Sequence, residues 1–421
     1  MNNNLLKIDL KNLFKKNEFD QFEVKALKFL KDCKDTEILT LLSEVYIHKK
    51  KFKSAREVIL NIINIEDSSV NSLLNLGRLY FIANKLDDSV KVYSEVAKID
   101  KFSIAALEGL SLCFMALKEF DRAVLNLKKI ISIDKKNNRA YQLLGEIFMI
   151  LENYPESLKY YKLSKLDEGR AKYLECLYLL NKDNEFKKEL SFFIKNKKYY
   201  PLVASLSNHY SYKYSTENEY PFCSKPLEFI YEKNLYEINN FNDDYIKKIL
   251  EDFNSTVITR REQNLLSGGF QSGGNFFDIN SKDINNLKKI ISKEIENYKK
   301  FFIKTNDPLI TEFPKKYNLS GWIIRMKEND YLKSHIHEKG WISGSIYLNT
   351  VDKPKGNEGA IKFSISGGKL KNNFKSPYKI NKIRKGSLIL FPSSLYHSTV
   401  PFENSDDERI TLAFDVKPNF S

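Results

Sequence analysis

Cysteine is scarce in this 421-residue chain: there are four, Cys33, Cys113, Cys176 and Cys223, and no two form a CxxC pair. Spacings that wide exclude a disulfide framework and a zinc ribbon. No apolar run approaches the 18 residues of a membrane span, and the opening MNNNLLKIDLKNLFKK lacks the apolar stretch of a signal peptide. A cytoplasmic, soluble protein with no membrane partner is expected. Arginine is rare too, at 10 of the 68 basic residues, so the net charge of +14 is mostly lysine. That skew fits a compositional background as well as a nucleic-acid surface, and no recognised nucleic-acid-binding motif accompanies it. Apolar and aromatic residues are plentiful at 42% and 13%, which excludes wholesale disorder. The length points to two domains.

What the chain does have is a repeat. Counting from Val70 with a period of 34, Leu76, Gly77, Tyr80, Ser89, Tyr93 and Asp100 are followed in phase by Leu110, Ser111, Phe114, Ala123, Leu127 and Asp134. One period on stand Leu144, Gly145, Phe148, Ser157 and Tyr161, and one period back Leu42, Ser43, Tyr46, Ala55 and Ile59. Small residues at positions 8 and 20 let two helices approach, and large ones at 7, 11 and 24 fill the space between them. The pattern resembles the tetratricopeptide repeat, a pair of antiparallel helices, over about Thr36 to Asp167. A degenerate unit precedes it and a capping helix pair follows. The proline often seen at the end of each unit is missing. The resemblance implies an all-α solenoid over 1–200 whose groove takes a protein or peptide partner; support or dimerisation of the second domain is the other use open to it.

From Tyr199 the period is lost. Residues 201–225 read as a connecting segment, and 226–421 as a second domain. NDDYIKKILEDFNS and KDINNLKKIISKEIENYKKFFIK have helical spacing. Beyond residue 318 the alternation shortens towards two, so SGWIIRM, SHIHE, WISGSIYLN, GAIKFSI, GSLILFP, YHSTVPF and RITLAFDV are expected strands. Many short strands behind two helices predict a β-sandwich or jelly-roll barrel.

Three of the five histidines fall in this β region: His335, His337 and His397. Residues two apart on a strand share a face, so an HxH pair plus a distant histidine can build a facial metal site with open positions. Imidazole suits iron, copper, zinc or nickel, and an exposed edge pair is the non-metal alternative. His48 and His209 lie apart, with no ligand-like neighbours. Arg409 stands out for being arginine in a lysine-rich chain: its planar fork matches a carboxylate with two parallel bonds. A structural salt bridge to Asp407 or Glu408 is its alternative role.

The residues from Pro226 onward resemble the 2-oxoglutarate/Fe(II) oxygenases of the double-stranded β-helix fold. HIHEKGWISGSIYLN, KGSLILFPSSLYHSTVPF and ERITLAFDV carry the resemblance, with GFQSGGNFF upstream. It implies Fe(II) held by His335, His337 and His397, and 2-oxoglutarate clamped at its far carboxylate by Arg409 and Thr411. Hydroxylation of a substrate C–H bond, with decarboxylation to succinate, is the implied reaction. Tyr347 is a further candidate for that carboxylate, or equally a core residue. Gln271, Ser343 and Trp341 are candidate pocket residues, Trp341 being as well suited to packing. The common pattern has Asp or Glu where His337 stands, so three neutral ligands would leave the iron at +2 instead of +1. Glu338, one residue out of phase, is the substitute carboxylate if a bulge turns it inward. A cupin-like dioxygenase without 2-oxoglutarate is a second reading, weakened by Gly340, Trp341 and Ile342 where cupins place a glutamate. A non-catalytic repeat adaptor is the third.

Overall fold

The computed structural model describes residues 3–49, 51–66, 69–256, 264–352, 354–370, 375–403 and 406–419. It divides into two compact units, Met1–Tyr173 and Leu174–Ser421. Among the described residues no helix is long and apolar enough to cross a membrane.

The first unit is a helical repeat array. Helices Asn3–Lys15 and Phe19–Phe29 precede the pairs Thr36–His48 with Phe52–Ile65, Val70–Ile82 with Leu86–Ile99, Ile104–Ala116 with Phe120–Ile133, and Asn138–Ile150 with Tyr154–Leu163. The small residues close the pairs. A Cβ at Gly77 would lie 2.8 Å from the Tyr93 ring, and one at Gly145 2.7 Å from that of Tyr161. The two serines reach across the same gaps, Ser89 Oγ donating to the Gly77 carbonyl at 2.7 Å and Ser157 Oγ to that of Gly145 at 2.8 Å.

Three of these first helices stop in the same way. Asn84, Lys118 and Glu152, 34 residues apart, are left-handed at φ 57°, 62° and 56°. The next amide in each case donates back across the turn, as Glu119 does to the Phe114 carbonyl at 2.8 Å. This is the Schellman stop, which ordinarily uses glycine. Between units, Asp100 and Asp134 accept from Phe102 and Lys136 N–H at 2.9 Å, so an aspartate turn ends the second helix where the repeat often has proline. Glycine at position 118 should therefore relieve left-handed strain and stabilise the protein by about 0.5–1 kcal/mol. Denaturant melts of Lys118→Gly check this; an unchanged or lower midpoint contradicts it.

In the second unit residues 201–225 are not a mere connection. Pro201–Tyr214 is a helix with Leu202, Val203, Ala204 and Leu206 buried, ended by left-handed Ser215. Buried His209 pairs with the Tyr178 hydroxyl, a structural contact. Asn208 Nδ2 donates to the Cys223 carbonyl at 2.9 Å, and buried Asp307 accepts from the amides of Cys223 and Ser224, so the segment is tied into the unit.

The strands are β1 (Tyr231–Asn234), β2 (Leu266–Ser267), β3 (Phe270–Gln271), β4 (Tyr317–Met326), β5 (Tyr331–Leu332), β6 (Ile342–Asn349), β7 (Ile361–Ser364), β8 (Tyr378–Asn381), β9 (Ser387–Pro392), β10 (Tyr396–Thr399) and β11 (Arg409–Pro418). They form an antiparallel six-stranded sheet in the order β1-β9-β6-β11-β4-β3, a three-stranded sheet β10-β7-β8 and the pair β2-β5. SHIHE is not a strand: His335 makes only an isolated bridge with His397.

Strand parity decides which face of the large sheet does what. Phe414 on β11 packs against Phe277, ring centroids 6.2 Å apart, on the face turned to the helical segments. There the helix Lys282–Phe301 buries Ile284, Leu287, Ile291, Ile295 and Tyr298 at three- and four-residue steps. On the other face Tyr347, Ile389 and Phe391 share a core with Ile361 and Phe363 of the small sheet. The two sheets thus pack face to face, and the cavity lies on this inner face.

Candidate metal and anion site

One strand supplies one wall. Arg409, Thr411, Ala413 and Asp415 alternate along β11, so all four side chains emerge on the inner face and line a cavity of about 280 Å³. Register brings Trp322, Ile324 and Met326 of β4 beside them. Gln271, His335, His337, Glu338 and His397 complete the lining named in the sequence.

The three histidines converge. Their ring centroids are 4.3–5.1 Å apart, and one ring nitrogen from each lies within 4.8 Å of the others. The paired amides and carbonyls of His335 and His397, at 3.1 and 3.0 Å, fix the two backbones together. Each ring is then oriented by its Nδ1. That of His335 meets the Lys333 carbonyl at 2.8 Å, that of His397 the Leu395 carbonyl at 3.2 Å, and that of His337 the carboxylate of Asp415. With Nδ1 as donor, every Nε2 is a free acceptor, the tautomer a metal requires. His335 Nε2 and His337 Nε2 stand 3.1 Å apart, two acceptors that a shared cation would reconcile. Glu338 is exposed and outside the cluster.

Burial, reinforced by the neighbouring imidazoles, pushes His397 well below the ordinary histidine value and His335 down to about 4. Both are neutral at pH 7 and need lose no proton to ligate. The metal-free protein carries a cost for this in acid. Below pH 6.5 the unfolded chain binds a proton at each of these positions that the folded chain resists, down to about pH 4 at His335. Stability is therefore full above about pH 7 and declines as pH falls through 6.5. Thermal melts of the metal-free protein from pH 7.5 to 4.5 check this, and His335→Gln should flatten the slope.

Arg409 is 3% exposed, and among the described residues it forms no ion pair with a carboxylate. The partners considered for it are engaged elsewhere: Glu408 lies 3.7 Å from Arg325, and Asp407 accepts from the Asp352 amide at 2.8 Å. Its guanidinium stacks 5.1 Å over the Tyr347 ring and Nη1 approaches the Met326 sulfur at 3.6 Å. Three buried polar atoms here lack hydrogen-bond partners: Arg409 Nε, Thr411 Oγ1 and Tyr347 Oη. A buried guanidinium without a carboxylate partner among the described residues, beside two unbonded hydroxyls, has the chemistry to receive an anion.

Two candidate pocket residues stand elsewhere. Trp341 is packing: its indole donates to the Leu309 carbonyl at 2.8 Å, and its ring contacts Phe222 and Phe313. Ser343 lies behind the histidines, donating to Asp415 at 2.8 Å. Asp415 and Trp322 were not singled out in the sequence. Asp415 had a signal, since it shares strand parity with Arg409 and Thr411. Trp322, 5.6 Å from the His337 ring, had none short of the β4–β11 register.

Residues 320–415 match the model of the family described as "Putative 2OG-Fe(II) oxygenase". That span contains the three histidines, Arg409, Thr411 and Asp415. Among solved structures, a tetratricopeptide repeat protein from Parabacteroides merdae is 14% identical, with a TM-score of 0.42, covering 59% of this chain and 97% of that one. PilW, a type IV pilus biogenesis factor, is 15% identical with a TM-score of 0.42, covering 48% and 97%; MamA is 22% identical with a TM-score of 0.33, covering 37% and 91%. No curated protein matches the sequence. Residues 320–415 are thus similar to the 2-oxoglutarate/Fe(II) oxygenases, and they hold HxH and a distal histidine.

Proposed function

We propose that the second unit is a double-stranded β-helix oxygenase that uses Fe(II) and 2-oxoglutarate to hydroxylate a substrate, and that the repeat unit binds a protein or peptide partner. The observation that carries the reading is buried Arg409, without a carboxylate partner among the described residues, and the orphaned Thr411 hydroxyl, in one cavity with three converging histidines, the Tyr347 ring lying under the guanidinium.

In this reading His335, His337 and His397 hold the metal through Nε2, their Nδ1 partners having set the tautomer beforehand. Arg409 grips the far carboxylate of 2-oxoglutarate in its fork, with Thr411 and Tyr347 donating their free hydroxyl protons to it. Each of the three polar groups then gains the partner its burial requires. When bound, Fe(II) with 2-oxoglutarate and oxygen supplies the oxidant for a C–H bond. Trp322, Ile324, Met326 and Leu332 line the cavity with apolar surface and limit water around the reacting groups. A cupin-like site without 2-oxoglutarate leaves Arg409 without a role.

Calorimetry under anaerobic conditions tests the reading. One 2-oxoglutarate should bind per Fe(II)-loaded protein, and a protein that takes Fe(II) but ignores 2-oxoglutarate would refute the cosubstrate.

A further inference from the structure

Substituting histidine for a carboxylate ligand removes one negative charge from a metal centre. In this fold a carboxylate lies behind that same histidine. His335 and His397 direct Nδ1 to neutral backbone carbonyls, whereas His337 directs Nδ1 to Asp415. Asp415 is 5% exposed, and among the described residues its hydrogen-bond partners are His337 and Ser343. Ser343 Oγ, 2.8 Å from Asp415, is in turn 2.8 Å from Ser393 Oγ. Since Ser343 spends its one proton on the carboxylate, Ser393 donates to Ser343. The chain of donors ends on Asp415, which requires Asp415 to be the acceptor throughout. The packing permits little else: a Cβ at Gly340 would lie 2.4 Å from Ser393 Oγ and 3.3 Å from the Asp415 carboxyl carbon.

We propose that Asp415 is the displaced carboxylate of this centre, a positioning residue that lends His337 anionic character through Nδ1–H. Counting Asp415, the charge of an Fe(II) site here becomes +1, the value a directly ligating carboxylate would give. The inference rests on the Fe(II)/2-oxoglutarate reading. Orienting and polarising a metal-bound imidazole from behind is worth about 10–100-fold in metal affinity. The charge also acts on the second ligand, because a less positive centre attracts the dianion less.

These two effects have opposite signs, and a merely structural residue would not produce both. The test titrates the full-length protein with Co(II) and then titrates the Co(II)-saturated protein with 2-oxoglutarate, under anaerobic conditions. Asp415→Asn keeps the shape and removes the charge. Co(II) affinity should fall about 10–100-fold, while 2-oxoglutarate affinity of the saturated protein should rise. Ser343 Oγ also lies 3.1 Å from His337 Nδ1, so Ser343→Ala removes both a donor that competes for the carboxylate and a second oxygen that Nδ1–H can reach; Asp415 then takes that proton's whole bond, and Co(II) affinity should increase. Unchanged Co(II) binding by Asp415→Asn, or a fall in both affinities together, overturns the inference. If Asp415→Asn does not fold, Ser343→Ala decides alone, and weaker Co(II) binding by that variant overturns it. A wild-type protein that takes neither Co(II) nor 2-oxoglutarate fails differently, overturning the oxygenase reading and this inference with it.

Discussion

Alanine at position 397 is expected to abolish stoichiometric binding of Fe(II) and, with it, every iron-dependent activity of the protein. The loss should exceed the roughly 10–100-fold that changes behind a ligand cause, because a ligand atom itself is removed. His397 is also the structural link between the sheets. Its backbone bridges to His335, and its ring packs 4.8 Å from Phe391. Truncation therefore leaves a small void, worth about 1–3 kcal/mol, but it also removes a buried group that resists protonation. The metal-free variant should consequently lose less stability at pH 5 than at pH 7.5, relative to wild type. Metal analysis of the purified variant with paired melts at the two pH values checks both parts. Normal iron content in a folded His397→Ala protein would refute the ligand set.

Methionine at position 409 should separate stability from function. Among the described residues no carboxylate pairs with Arg409, and a buried charge without a partner costs several kcal/mol. An apolar residue of similar length should raise the stability of the metal-free protein, by about 1–4 kcal/mol. The same change should abolish saturable 2-oxoglutarate binding while the protein still takes metal, since the guanidinium stacks on Tyr347 and the clustered ligand atoms are those of the three histidines. Arg409→Lys, which retains the charge but not the fork, should weaken 2-oxoglutarate by roughly 10–100-fold, the worth of one charge-assisted hydrogen bond. A structural salt bridge at this position would give the opposite stability result, because removing one partner of a buried pair destabilises.

Much of this was readable from the chain, and the reasons differ by element. The repeat was legible because a 34-residue period imposes the same local demands again and again: Gly77 and Gly145 both meet a tyrosine ring, and Ser89 and Ser157 both bond the opposite carbonyl. The missing proline was legible only as an absence, and its replacement by Asp100 and Asp134 turns needed the backbone. Along β11, alternation alone assigns Arg409, Thr411 and Asp415 to one face. What the carboxylate does there depends on His337 and Ser343, 78 and 72 residues away, and long-range pairing leaves no local trace. SHIHE looked like a strand because its alternation is right. A single bridge and the Nδ1 contacts, rather than a ladder, present its two imidazoles together. The helix Pro201–Tyr214 escaped notice because it is buried nearly all round and so shows no amphipathic period.

The most direct measurement is succinate. Full-length protein, purified without oxygen and supplied with Fe(II), 2-oxoglutarate and then oxygen, is predicted to release succinate even without its substrate, slowly and in proportion to bound iron. Arg409→Met and His397→Ala should release none above the rate of iron alone in solution. Succinate formation that is absent from the wild type, or that persists unchanged in both variants, would contradict an Fe(II)/2-oxoglutarate centre at these residues.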